Sequence, residues 1–351
     1  MIAHFHSDSY HKIDGKTADI QMVGLCDIIP GKAQAFAEAQ GWERAKCYED
    51  YREMIEDLEI DAVSICTPNR VHADPAIACL RNGIAVMCEK PMSYTLQEAV
   101  DMARTAKETG NMLTIGFQPR YDPNSAVLER IVQSGRLGQI YHIETGGGRR
   151  RGIPGGSFIK AEEGGYGATN DIGCYALDMV LAPLGYPKPL SATAQTSNYF
   201  GKTPAVGQAG GDWGTWTPDE FQVEDFATGY VRLQGDISLV FRTAWAMHMD
   251  SLGHTLFLGT KGGLKCHDGG LREMTLYQDL DTDLQTQSPV SAKNGDVDIF
   301  TAKIDDFVRA VVEGDAAPIP GETIVYNQAI IDGLMRSAAQ GKEVAIDIPA
   351  I

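Results

Sequence analysis

Short apolar runs alternate with helical patterns through the first third of the chain. Met22-Val23-Gly24-Leu25-Cys26 is a compact apolar run that stops at Asp27, and Pro30 to Gln40 follows as a helix closed by Gly41. Asp61 to Cys66 reads as the next strand and ends at Thr67-Pro68-Asn69. Asp74 is placed to cap a helix with Pro75 at its first position, and Asn82-Gly83 closes that helix. Ile84 to Cys88 is a third strand, ending at Glu89-Lys90-Pro91. Thr95 and Glu98 have the spacing of a capping box for a helix running to about Gly110. Met112 to Gly116 is a fourth strand. This order predicts an α/β fold with a parallel, Rossmann-type sheet covered on both faces. Ligands bind such sheets beyond the carboxyl ends of the strands. That rule singles out Asp27, Thr67 to Asn69, Glu89 to Pro91, and Gln118 to Arg120.

The pattern changes from about Tyr121. A helix near Ala126–Ser134 leads to an alternating strand at Gln139–Glu144, then to a Gly- and Arg-rich loop, Gly146 to Gly156. A helix carrying Asp171, Tyr175 and Asp178 follows. Ala192–Ser197, Phe226–Leu233, Ile237–Trp245 and Thr255–Gly259 then succeed one another as strands without intervening helices. Such a succession predicts a mostly antiparallel open sheet. Tyr199 to Asp219 reads as a long loop, and helices at Ile304–Glu313 and Thr323–Gln340 finish the chain. The expected division is a dinucleotide-binding domain over 1–120 and an α+β substrate-binding and oligomerisation domain over 121–351, with the C-terminal helices packing back.

At 351 residues the chain is longer than one core usually serves, and 43 % hydrophobic residues can fill two. The net charge of −17 repels phosphate backbones and anionic lipid, so neither nucleic acid nor a membrane surface is an expected partner. No apolar run is long enough to span a bilayer, and the N-terminus has no basic region followed by an apolar stretch. The seven cysteines lack CxxC spacing and any zinc-ligand pattern. No metal is expected, and reduced structural thiols in a cytoplasmic protein are the expectation.

Taken together, several motifs resemble one family. They are Cys26-Asp27, Thr67-Pro68-Asn69-Arg70-Val71-His72, Glu89-Lys90-Pro91, Gly164-Gly165-Tyr166-Gly167 leading into Asp171-Ile172-Gly173, and Val223-Glu224-Asp225-Phe226. In this order the chain resembles the Gfo/Idh/MocA oxidoreductases, which include glucose–fructose oxidoreductase and inositol dehydrogenases. The family opens with a strand and a GxGxx(G/A) turn whose amides hold a cofactor pyrophosphate. This sequence enters that motif at Ile2-Ala3, with Ala3 in the place of the third glycine. A start codon called too late is the favoured explanation, ahead of a shortened chain or a true loss.

The resemblance implies NAD as cofactor and a secondary hydroxyl of a sugar, glycoside or cyclitol as substrate, with oxidation at C3 of a glucoside as the specific expectation. Two rivals are an NAD-assisted, redox-neutral glycoside cleavage and a catalytically inactive sugar-binding relative. Asp27 would accept from the adenosine ribose hydroxyls and repel a 2′-phosphate, which makes NADP the less favoured cofactor; otherwise it caps the following helix. Ala3, Thr67, Pro68, Asn69, His72, Glu89, Lys90 and Gln118 are the further cofactor candidates. Pro91 restricts Lys90 to an extended conformation that aims its ammonium into the cleft. Asp171 and Tyr175 lie four apart on one helical face. Many family members carry histidine at the second of these positions. A phenol needs help to act as a base near neutral pH, and Lys90 would favour the phenolate. Lys90, Tyr175 and Asp171 are therefore the catalytic candidates, and Arg120, Arg149, Asp171 and Tyr175 the substrate contacts. Arg120 otherwise stabilises the domain junction. Trp213, Trp216 and His248 are candidate pocket residues. Relatives imply a homodimer or homotetramer.

Overall fold

The computed structural model describes residues 2–208, 214–267, 271, 273–281, 283–288 and 297–351. Helix α1 (Ile2–Ile13) opens it, followed by β1 (Gly24–Cys26), α2 (Lys32–Gln40), β2 (Lys46–Tyr48) and α3 (Tyr51–Asp57). Then come β3 (Ala62–Ile65), α4 (Ala73–Arg81), β4 (Ala85–Glu89), α5 (Leu96–Thr109) and β5 (Leu113–Gly116). Strands β3, β4 and β5 pair in parallel, and so do β1 and β2, in a separate ladder. Strand β4 is central to its ladder, and its apolar run is buried from Val86 to Cys88, as a parallel strand covered on both faces requires. Strands β1 and β3 each pair on one side only, and Leu25 and Val63 stay half-buried.

Local chemistry explains the boundaries. Both hydrogen bonds of the Thr95–Glu98 capping box are present at the start of α5. Helix α4 begins two residues earlier than the sequence pattern placed it. Its cap position is His72, and Asp74 lies inside the first turn, where its charge favours the helix dipole instead of capping it.

After β5 the chain forms α6 (Pro123–Gln133), with Asp122 accepting from the Asn124 amide, and then β6 (Ile140–Gly148). A short turn, α7 (Ala161–Gly164), precedes a π-helical turn at Thr169–Gly173, which runs into α8 (Cys174–Leu181). Strand β7 (Pro189–Ser197), the turn α9 (Pro204–Gly207) and strands β8 (Phe226–Leu233), β9 (Ile237–Ala244) and β10 (Thr255–Gly259) follow. Three further strands, β11 (Gly262–Cys266), β12 (Met274–Leu280) and β13 (Asp283–Gln287), lead to α10 (Ile299–Glu313), α11 (Gly321–Gln340) and β14 (Val344–Ala345). Nine strands make one open sheet in the order β13-β12-β11-β10-β6-β9-β8-β7-β14, antiparallel except where β6 and β9 run together.

The last two helices return to the first sheet. Ile304 and Phe307 of α10 pack with Ile13 of α1 and Met87 of β4. The Ile115 amide donates to the Ile319 carbonyl just ahead of α11. Trp213 lies outside the described residues; Trp216 is buried against Phe221 and donates its indole N–H to the Gly201 carbonyl.

Candidate active site

The carboxyl ends of β3, β4 and β5 face the π-helical turn, and Lys90 bridges them. It follows β4 directly, and the Lys90–Pro91 peptide is cis. Its ammonium lies 3.1 Å from Asp171 Oδ1 and 3.2 Å from the Asp171 carbonyl. It also sits 4.5 Å from the centre of the Tyr175 ring. The four-residue spacing read as one α-helical face is divided in the structure: Asp171 belongs to the π turn and Tyr175 to α8. Such turns re-aim side chains and recur at functional sites. Both groups still converge on one cation.

Each member is held from behind. The Trp245 indole N–H donates to Asp171 Oδ2 over 2.8 Å, and Arg149 lies 3.5 Å from the same oxygen. Gln118 donates its amide N–H to the Tyr175 hydroxyl over 2.6 Å, and Phe117 packs edge-on against the Tyr175 ring. The Glu224 carboxylate accepts from the Gly167 and Thr169 amides, each over 2.9 Å, anchoring the segment that leads into the π turn. Gly167 is required there: a Cβ would lie 2.0 Å from the Glu224 carbonyl oxygen.

The charges follow from this packing. Burial pulls the Lys90 ammonium toward its neutral form, but its electrostatic coupling to Tyr175 and to the Asp171 carboxylate outweighs this and holds Lys90 above its ordinary range. Burial disfavours the Asp171 carboxylate; Lys90, the Trp245 N–H and Arg149 more than offset this and hold its pKa down. Burial pushes the Tyr175 phenol up, and Lys90 opposes that only in part. The pull toward phenolate expected of Lys90 is present and is outweighed. The resting cluster is thus an ammonium, a carboxylate and a neutral phenol.

Other sequence candidates surround this cluster. Asn69 donates its amide to the Gly164 carbonyl over 2.9 Å, tying the turn after β3 to the last residue of α7. Thr67 donates its hydroxyl to the Val71 carbonyl, next to Pro68. His72 is buried, with its ring nitrogens 2.8 Å and 2.9 Å from the carbonyls of Pro91 and Thr67. Arg120 stands apart from Lys90: its guanidinium grips Asp178 through two bonds of 2.9 and 2.8 Å and also meets Tyr186. Asp27 accepts from the Ile29 amide and pairs with Lys32, the helix-entry role weighed for it. Ala3 lies in the first turn of α1. Arg151 donates to the Met247 carbonyl and stacks on Phe200, which meets His248 edge-on.

Three participants escaped the sequence reading. Trp245 is where the β9 run ends, and nothing in the pattern marks its N–H as a donor to Asp171. His6 and Lys303 are buried beside Glu89. Lys303 did leave a signal: it shares the buried face of α10 with Phe307 and Ala310, four and seven positions on.

Two features test the fit of a nicotinamide dinucleotide. Gln118 Oε1 is buried and has no partner among the described residues, so the edge of the cluster keeps a free acceptor beside Tyr175. At the other end, Ile28 and Ile29, 82 % and 54 % exposed, flank the Asp27 carboxylate and leave an apolar surface next to a hydroxyl acceptor. The two features are compatible with an amide-bearing ring at one end and an adenosine at the other.

Residues 1–117 match the oxidoreductase family with an NAD-binding Rossmann fold, and residues 126–265 match the GFO/IDH/MocA C-terminal domain. The chain belongs to the Gfo/Idh/MocA family of oxidoreductases. It is 34 % identical over 248 residues to the D-glucoside 3-dehydrogenase of Escherichia coli, covering 70 % of this chain and 69 % of that protein. It is 37 % identical over 144 residues to the scyllo-inositol 2-dehydrogenase (NAD(+)) of Bacillus subtilis, 41 % of each chain. A levoglucosan dehydrogenase solved with NADH and L-sorbose shares its fold, with a TM-score of 0.80 at 21 % identity over 100 % of this chain and 96 % of that one. No helix among the described residues is long and apolar enough to cross a membrane.

Proposed function

We propose that this protein moves hydride between NAD and a secondary hydroxyl of a sugar, glycoside or cyclitol. A glucoside oxidised at C3 is the first substrate to try, since the E. coli relative is a D-glucoside 3-dehydrogenase. The observation that carries the reading is the convergence of Lys90, Asp171 and Tyr175 at the carboxyl end of the parallel sheet. NAD would supply the hydride acceptor or donor. Asp27, beside the exposed Ile28 and Ile29, would hold the adenosine ribose and repel a 2′-phosphate, with Ala3 at the first turn of α1 near the pyrophosphate. Thr67, Pro68, Asn69 and the free Gln118 acceptor would line the path to the reacting end. His72 and Glu89 act from behind that path, because their polar atoms are already engaged.

Tyr175 exchanges the proton of the reacting hydroxyl. As a neutral phenol it donates to a ketone; to take a proton from an alcohol it must first ionise, and Lys90 and the Gln118 N–H stabilise that phenolate. Asp171 and Arg149 orient a neighbouring hydroxyl of the ring. Arg120 supports the site through Asp178 and does not reach the cluster itself.

The thermal midpoint with saturating NAD⁺ or NADP⁺ tests the cofactor half of this reading, because a ligand that binds only the folded state raises it. A rise with NAD⁺ that exceeds the rise with NADP⁺ is expected. No rise with either cofactor would overturn it.

A further inference from the structure

Glu89 is adjacent to Lys90 in the chain, yet the two side chains do not pair. Glu89 is 4 % exposed, and its Oε1 takes an ion pair from Lys303, a lysine with no exposed surface. His6 Nε2 lies 2.8 Å from the same oxygen and 3.1 Å from the Lys303 ammonium. His6 Nδ1 in turn meets Ser64 Oγ at 3.0 Å. The other carboxylate oxygen, Oε2, accepts from the Lys90 backbone N–H over 3.3 Å. Gly116 leaves room for this cluster: a Cβ there would lie 2.7 Å from Glu89 Oε1 and 3.3 Å from the Lys303 ammonium. Lys303 comes from α10, far along the chain, and enters the first sheet where α10 packs on α1.

We propose that Lys303 is a positioning residue: it is the counter-ion of Glu89, and by neutralising that carboxylate it leaves the Lys90 ammonium to Asp171 and Tyr175. A buried carboxylate must be compensated. Burial holds the His6 imidazole below its ordinary pKa, so it stays neutral beside Glu89; the lysines that remain are Lys90, next in the chain, and Lys303, across the fold, and only Lys303 can serve without emptying the site. Lys303 arrives on α10, is fully buried, and meets Glu89 at Oε1, the oxygen that Lys90's backbone N–H does not use. Lys90 then extends past the strand end to Asp171. The turnover consequence rests on the dehydrogenase reading; the geometry of Lys90 does not.

The test is a set of three variants, Lys303→Met, Glu89→Gln and the double variant, each in the full chain. Crystal structures report where the Lys90 ammonium lies, and NAD⁺-dependent oxidation of a glucoside reports turnover. In Lys303→Met the Lys90 ammonium should leave Asp171 for Glu89, with turnover down at least tenfold. The double variant removes both charges, so Lys90 should return to Asp171 and most of the lost turnover should return. If Lys303→Met is insoluble while the double variant folds, the uncompensated Glu89 charge is the cause, which supports the proposal. Lys90 remaining on Asp171 in Lys303→Met, or a double variant no better than Lys303→Met in folding or in Lys90 position, would overturn it. A wild-type chain without turnover would sink the dehydrogenase reading alone, since the position of Lys90 is read independently.

Discussion

Replacing Tyr175 by Phe isolates the phenolic proton from everything else the residue does. The ring keeps its edge-on contact with Phe117, 5.8 Å between centres, and its place under the Lys90 ammonium at 4.5 Å. What disappears is one hydroxyl and its 2.6 Å bond from Gln118. Positioned acid–base groups contribute about 10²- to 10⁴-fold in rate, or roughly 3 to 5 kcal/mol of barrier. The stability cost is smaller. A net hydrogen bond is worth about 1 kcal/mol, and stranding the Gln118 amide adds about 1–3 kcal/mol if it finds no water. Steady-state kinetics of glucoside oxidation should therefore show kcat reduced by at least about a hundredfold with KM nearly unchanged, and urea unfolding should show a loss of only a few kcal/mol. A kcat within tenfold of wild type would refute the assignment of Tyr175 as the proton-exchanging group. Tyr175→His supplies a second check. An imidazole with an ordinary pKa near 6.5 should recover part of the lost rate and move its dependence toward neutral pH.

Because burial holds the Tyr175 phenol above its ordinary range, wild-type oxidation should accelerate steadily between about pH 7 and pH 10, while ketone reduction should not; a flat oxidation profile would contradict this. Asp225 is fully buried, burial raises its pKa to about 6, and its Oδ1 has no partner among the described residues. The folded state therefore binds the extra proton, so this group's contribution to stability declines as pH rises from about 4 to about 6, by at most about 3 kcal/mol. Asp225→Asn should flatten that decline in a series of melts, and an unchanged slope would count against it. Asp27→Ser should raise affinity for NADP⁺ relative to NAD⁺ in calorimetric titrations by removing the charge that repels a 2′-phosphate; an unchanged ratio would dismiss Asp27 as the ribose residue. Gly116→Ala should destabilise the chain sharply, since the new Cβ meets Glu89 at 2.7 Å, and a melting point equal to wild type would show that the buried cluster yields.

Much of this was legible in the sequence where local rules and tertiary demands agree. The Thr95–Glu98 box caps α5 as its spacing required, and β8 and β10 occupy the runs that alternation marked out. Strand β2 escaped because Lys46–Tyr48 is too short to show a period, and β11 because Gly262-Gly263 reads as a turn although it pairs on both sides. At the site, the type and order of Glu89-Lys90-Pro91, Asp171 and Tyr175 were enough to bring them together. The spacing was not enough to show the π turn, which depends on Glu224 holding the Gly167 and Thr169 amides from across the fold. Lys303 was hidden for a related reason: a lysine on an apolar helix face is interpretable only when its buried partner, Glu89, is known to lie opposite.

The most direct test of the central claim is net NADH formation from NAD⁺ when the protein is offered a panel of D-glucosides and inositols, with Lys90→Ala run alongside. Stoichiometric NADH and ketone are expected with at least one of them, and no product with Lys90→Ala. Glycosidic cleavage without net NADH, or oxidation that survives Lys90→Ala, would contradict it.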